Sequence, residues 1–433
     1  MSAKFDMRDG QALHRGSWLP FCRTTRTAIF LVLGLAALTL PQPLFAADAA
    51  FASFLESLWP QAQQQGVSRA TFDAAIRDLE PDLTLPDLVI PGQADRVERG
   101  QAEFVQTPAD YLRESSLTRL AAQGKMLAEQ HRATLAKIEQ RFGVPANVVL
   151  AIWGRETAYG GYQMPLDAIR TLATQSYLGR RKDVFRVEFL AALRMLEDGI
   201  PRAKMRSSWG GALGLTQFLP SEFYKYPVDF DGDGRIDIWT SVPDALASAA
   251  KQLAGKGWRP GKAWGLEVRV PANADCTVAD PENPMPIGEW MKRGYIPAHG
   301  GIMSPAQLAE PASLLMPAGT YGPAFLILKN YYVIKEYNFS DLYVLFVGHL
   351  ADRIAGEPAF RVPWQPVVQL HTRQLEDIQQ RLAALGLYRD KIDGKAGMRT
   401  RRALGTYQKS NGLKLDCWPT IAVLSHMQSK AGN

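Results

Sequence analysis

The chain of 433 residues carries 49 Lys and Arg against 43 Asp and Glu, a net charge of +6, with 46% hydrophobic and 21% charged residues. That length allows two or more domains with a large core, and the composition is that of an ordinary soluble globular protein. No dense basic block with interleaved aromatics occurs, which argues against a dedicated nucleic-acid binder.

Residues 1–47 read as a secretion signal. Arg23 and Arg26 precede the apolar run "AIFLVLGLAALTL", and "PQPLFAADAA" then supplies small residues suited to cleavage near Ala46 or Ala47. The run is too short to span a bilayer comfortably, so no stable membrane insertion is expected after cleavage. Removing the segment takes away Lys4, Arg8, Arg15, Arg23 and Arg26 together with Asp6 and Asp9, which lowers the net charge by three to +3. Cys22 leaves with it. Cys276 and Cys417 remain; placed in what read as different domains, they are expected to be two unpaired, buried thiols, with no second Cys or His at metal-ligand spacing.

From Ala50 to about Asn147 the pattern is helical, ending in "TRLAAQGKMLAEQHRATLAKIEQRFG". Gly143 suits the end of that helix and Pro145 the first turn of the next. In "AIWGRETAYGG", residues 151 to 161, a helical reading puts Val149, Ile152, Glu156 and Tyr159 on one stripe, so a carboxylate shares the face that should turn inward. Such a carboxylate is either paired with an arginine, for which Arg155, Arg180 and Arg181 are the candidates, or held protonated by desolvation and able to serve as a general acid. The helix is expected to stop at Gly160 and Gly161, leaving Glu156 in the last turn. Asp167, in "MPLDAIR", suits a cap on the helix that follows.

Residues 182–198 read as a further helix, and "RSSWGGALGLTQFLPSEF" as a glycine-rich loop entering a short helical segment. "DFDGDGRIDIW" then sets acidic residues at positions 1, 3, 5 and 9 of a loop with glycine at position 6, the spacing by which an EF-hand wraps oxygen ligands around Ca²⁺. Asp229, Asp231 and Asp233 with the carbonyl of Arg235 are the candidate ligands. Position 12 is Thr240 rather than a carboxylate, and Asp244 is the nearest substitute. Ca²⁺ there is expected to be structural, since it fixes loops but activates water poorly compared with Zn²⁺.

Between about 265 and 338 Pro and Gly are frequent, and "LEVRV", "AFLIL" and "YYVIKEY" read as strands. "SDLYVLFVGHLADRIAG" (340–356) reads as an apolar helix with Ser340 as its N-cap. The proline-rich stretch beginning "EPAFRVPWQPVV" (357–369) reads as a linker, and 370–433 as a compact unit rich in helix formers.

With "AIWGRETAYGG", "SWGGALGLTQFLPS", "VDFDGDGRIDIW" and "GPAFLILKNYYVIKEYN" in this order, the chain resembles the B-type lytic murein transglycosylases. The tail "LAALGLYRDKIDGKAGMRTRRALGTYQKSNGL" resembles a three-helix peptidoglycan-binding domain; Asp393, Gly394, Gly397, Thr400, Arg401 and Gln408 match its pattern. The resemblance implies a mainly α (α+β) protein: a lysozyme-like helical core with an inserted β-rich region over 48–356, then the small domain. It implies a periplasmic monomer acting on peptidoglycan glycan strands, with cell-wall synthesis proteins as candidate partners and no catalytic cofactor. Glu156 stands at the family's single acid/base; Ser208, Gln217, Tyr337, Asn338 and Tyr343 match positions lining the sugar cleft. Arg180 and Arg181 either bind peptide or lactyl carboxylates or pair with surface acids. Where the family often shows Asn-Tyr, this chain has Lys251 and Gln252. No second carboxylate stands out among the cleft motifs, whereas ordinary glycosidases need two; the family instead uses the C6 hydroxyl of the substrate to form a 1,6-anhydro ring.

Overall fold

A computed structural model describes residues 44–92 and 102–430. The expected signal segment lies outside the described residues as far as Pro43; Leu44 opens the first helix, α1 (Leu44–Ser57). The longer helices that follow are α2 (Glu114–Gln130), α3 (Arg132–Phe142), α4 (Ala146–Thr157), α5 (Ala168–Leu178), α6 (Lys182–Glu197), α7 (Val242–Gly255), α8 (Lys329–Lys335) and α9 (Asp341–Ala355). The tail adds α10 (Thr372–Ala384), α11 (Met398–Ser410) and α12 (Ile421–Lys430).

Two apolar cores divide the helical body. One joins α1, α5 and α6 through Phe51, Leu172, Phe185 and Phe189. The other is centred on α4 and α9, which pack on each other and on α2. Val149 and Ile152 on α4 and Val344 and Val347 on α9 are fully buried there, each worth about 1.5–3 kcal/mol relative to exposure. Gly143 in the left-handed conformation ends α3, as expected, and Pro145 takes the N-cap of α4, one place before the expected first turn.

The end of α4 differs from expectation. The helix stops at Thr157, and Ala158 and Tyr159 turn into left-handed backbone at φ +49° and +59° before Gly160 at +80°. Space for the Tyr159 ring explains this turn. A Cβ on Gly154 would lie 2.6 Å from that ring and one on Gly124 2.5 Å from its hydroxyl, so two glycines open the slot it fills. The hydroxyl donates to the carbonyl of Leu120 on α2 at 2.9 Å.

The inserted region holds an antiparallel sheet of Gly265–Arg269 (β1), Met285–Pro286 (β2), Ile296–Pro297 (β3), Pro311–Leu315 (β4) and Ala324–Ile327 (β5) in the order β2-β4-β5-β1-β3. "LEVRV" and "AFLIL" are strands as expected. "YYVIKEY" is not: it belongs to α8, where Tyr331 and Ile334 are buried three residues apart, a helical stripe that a short apolar run conceals.

The linker 357–369 has no regular structure, yet it is strapped down. Glu267 of β1 accepts from the backbone N–H groups of Arg361 and Val362 at 2.9 and 2.8 Å. The tail then packs on the sheet region, and Cys276 is bonded to Cys417 with Cα atoms 6.2 Å apart. The expectation of two free thiols is therefore corrected. The two domains are separate in sequence but docked in space: the carbonyl of Asp416 accepts from Thr320 N–H at 3.0 Å, and Lys409 pairs with Asp275 at 2.6 Å.

Candidate functional site

Glu156 sits in the last turn of α4, 8% exposed, among the apolar residues of the central core. The partner that reaches it comes from α9, whose first turn is fixed by Ser340: the hydroxyl of this N-cap accepts from the N–H of Leu342 and of Tyr343, and Asn338 Oδ1 accepts from Ser340 N–H at 3.1 Å. From that turn the fully buried Tyr343 donates its hydroxyl to Glu156 Oε1 at 2.5 Å. Burial first, and then the negative charge of Glu156, push the phenols of Tyr343 and Tyr337 well above their ordinary range. Both therefore stay protonated, as donors, at any physiological pH.

The glycine-rich loop forms the other wall. A two-stranded ladder pairing Leu166 with Ser207 anchors its start, where Asp167 also caps α5 through Arg170 N–H, as expected. Gly211 and Gly214 hold φ of +83° and +74°, and a Cβ on either would strike Leu172 or the Ile238 carbonyl, so only glycine lets the loop lie this close. Ser208 is buried and accepts from Ala212 N–H; Gln217, also buried, has φ +55° and donates Nε2 to the Gly214 carbonyl at 2.9 Å. A non-glycine residue in the left-handed region is the kind of strain that accompanies binding sites.

Two hydroxyls fasten this loop to the Glu156 turn. Thr157 donates to the Leu215 carbonyl at 2.7 Å, and Tyr337 to the Thr216 carbonyl at 2.6 Å. Sequence reading missed Thr157, whose only signal was a hydroxyl beside the glutamate. Gln252, at the position where the resembled family often has tyrosine, is buried and donates to Glu222 at 3.0 Å.

In the acidic loop, Asp229, Asp231 and Asp244 each offer a carboxylate oxygen, all within 4.8 Å of one another. Asp244 is 1% exposed and already accepts from the N–H groups of Phe230 and Asp237 at 2.8 and 2.9 Å, which locks the start of α7 onto the loop. Asp233 instead accepts from Arg235 N–H at 2.8 Å, and Thr240 gives its hydroxyl to Asp237. The donor set of the three clustered residues is all carboxylate oxygen, which fits a hard cation such as Ca²⁺.

Arg180 and Arg181 both face Asp87, at 3.6 and 3.3 Å, and the Arg181 guanidinium lies 5.9 Å over the Trp209 ring of the glycine-rich loop.

Residues 50–352 match the model of the transglycosylase SLT domain, and 372–427 that of a peptidoglycan binding domain. SltB3 of Pseudomonas aeruginosa in complex with NAG-NAM-pentapeptide is 37% identical over 87% of this chain and 99% of that one, at TM-score 0.75. Its complex with NAG-anhNAM-pentapeptide matches at 38% identity over the same shares, at TM-score 0.74. Membrane-bound lytic murein transglycosylase B of Escherichia coli is 32% identical over 240 residues, 54% of this chain and 63% of that protein, so this match spans less than two thirds of that relative.

Proposed function

We propose that this chain, which belongs to the transglycosylase SLT family, is a lytic murein transglycosylase in which Glu156 acts as the single acid and base. The observation that carries the reading is the seat of Glu156: a carboxyl buried among apolar residues, accepting from the Tyr343 hydroxyl and set beside a strained, glycine-built loop. Desolvation favours the neutral carboxyl, which is the form a general acid needs.

In the reaction, Glu156 gives its proton to the glycosidic oxygen between MurNAc and GlcNAc as the bond from that oxygen to C1 of MurNAc breaks. The carbonyl of the 2-acetamido group shares the positive charge that develops at C1. The Glu156 carboxylate then takes the proton of the C6 hydroxyl, whose oxygen bonds to C1 and closes the 1,6-anhydro ring. One C–O bond is exchanged for another, the proton returns to Glu156, and no water enters. The same carboxyl thus serves first as general acid and then as general base. Ser208, Gln217, Tyr337 and Asn338 line the sugar path, with Arg180 and Arg181 at its edge for carboxylates of lactyl or peptide groups.

Asp229, Asp231 and Asp244 would hold Ca²⁺, which would neutralise three crowded carboxylates and fix the loop that precedes α7. The tail domain keeps the enzyme on its polymer by raising the local concentration of substrate. In this reading the protein is periplasmic, which action on murein and the signal-like first 47 residues support. Among the described residues no helix is long and apolar enough to cross a membrane.

Digestion of purified sacculi followed by mass spectrometry of the muropeptides tests the activity. Anhydro ends are expected; reducing ends in their place would mean a hydrolase.

A further inference from the structure

The tail domain touches the scaffold of the acid itself. Arg401 on α11 reaches out of its own unit, and its Nη2 donates to Asp341 Oδ2 at 3.0 Å with both side chains under 10% exposed. Asp341 is the first residue of α9. Its other oxygen accepts from Tyr331 at 2.7 Å and Lys335 at 2.5 Å. Tyr343, two residues further along the same turn, is the donor to Glu156.

A cavity of about 350 Å³ lies between the two units, bordered by Phe339, Ser340 and Asp341 on one side and Thr400 and Arg401 on the other. Across this cavity the tail meets the α9 region through the Arg401–Asp341 ion pair and through Met398, which is buried in the central core with Leu342. Removing Arg401 leaves Asp341 to Tyr331 and Lys335 alone, which draws the first turn toward α8 and away from the tail, and a small displacement of a reacting group has a large kinetic cost.

We propose that Arg401 is a positioning residue: seated on Asp341, it sets the first turn of α9 so that Tyr343 aims its hydroxyl at Glu156, which couples docking of the tail domain to turnover. The inference rests on Glu156 being the acid. It gives the tail a second task besides holding the polymer, and the two tasks separate on a soluble substrate, because a short glycan fragment has no need of tethering.

The test is steady-state kinetics on a soluble murein tetrasaccharide with the full chain, its disulfide intact so that the tail stays docked. R401A is expected to lower kcat by about tenfold with KM unchanged, and R401K, which keeps the charge, to recover most of the loss. K409A removes a different ion pair of the same interface, with Asp275, and is expected to leave kcat unchanged. Full kcat in R401A overturns the proposal, as does an equal loss in K409A, which would mean that loosened docking in general is responsible. E156Q measured alongside separates the layers: turnover retained in E156Q overturns the acid assignment and this inference with it, whereas a dead E156Q beside a fully active R401A overturns the positioning role alone.

Discussion

The Glu156 niche and the loop of Asp229, Asp231 and Asp244 use the same functional group in opposite ways. In the niche a carboxyl is nine-tenths buried and is met by a phenol; in the loop three carboxylates are gathered within 4.8 Å on a turn that is partly open to solvent. Seclusion raises affinity for a proton, while crowding raises affinity for a cation. Asp352 on α9 supplies the reference for seclusion alone. Burial, opposed by the Trp264 indole N–H that donates to it at 2.9 Å and aided by Glu357, pushes its pKa up to about 7.

The largest effect that would sharpen this contrast is on chemistry. E156Q keeps the size of the side chain and removes its proton, so kcat should fall by about a thousandfold or more while the fold, followed by circular dichroism, stays intact. An active E156Q breaks the comparison outright. Next comes Y343F, which deletes one hydrogen bond to a charged group; a loss of about tenfold in kcat with little change in KM is expected. In the loop, chelation should lower the melting temperature without altering products, and D244N, which also loses one of the two backbone N–H acceptors of Asp244, should melt below the chelated protein and gain nothing from added Ca²⁺. A melting temperature indifferent to both would leave the crowded carboxylates without their cation.

The smallest effect concerns Asp352. With a pKa of about 7 in the fold and near 3.9 unfolded, the native state binds the extra proton between those values, so this residue makes stability fall as pH climbs from about 4 through 7. D352N should flatten that slope and stabilise the protein at pH 8 by on the order of 1 kcal/mol, once partial exposure is allowed for. Melting curves of the two proteins at pH 5 and pH 8 check it.

Much of the site was legible because periodicity carries it. Val149, Ile152, Glu156 and Tyr159 are all buried, as their spacing requires, although Tyr159 arrives there by a left-handed turn beyond the end of α4 that only the neighbouring glycines explain. Ser340, Gly143 and Asp167 cap helices because capping is local chemistry that three or four residues decide. Contacts across long separations left no such trace. The bond between Tyr343 and Glu156 joins residues 187 apart and depends on how α4 packs on α9, and the Cys276–Cys417 bridge joins residues 141 apart and depends on how the tail docks on the sheet region. The helix α8 was misread because the short run Tyr331 to Ile334, rich in aromatic and β-branched residues, fits either period. In the acidic loop the spacing pointed to Asp229, Asp231 and Asp244, whose carboxylate oxygens the fold brings within 4.8 Å of one another, while the bond that Asp233 accepts from the Arg235 N–H left no trace in it.

The bridge has a topological consequence. It closes a ring of chain that contains the whole linker, much of it exposed and free of regular structure, the kind of segment proteases cut first. A single nick there leaves the two fragments covalently joined, so the severed enzyme runs as one band on a non-reducing gel and as two only after a thiol is added. Proteolysis in an oxidising envelope would thus leave the wall-binding unit attached to the body that cuts.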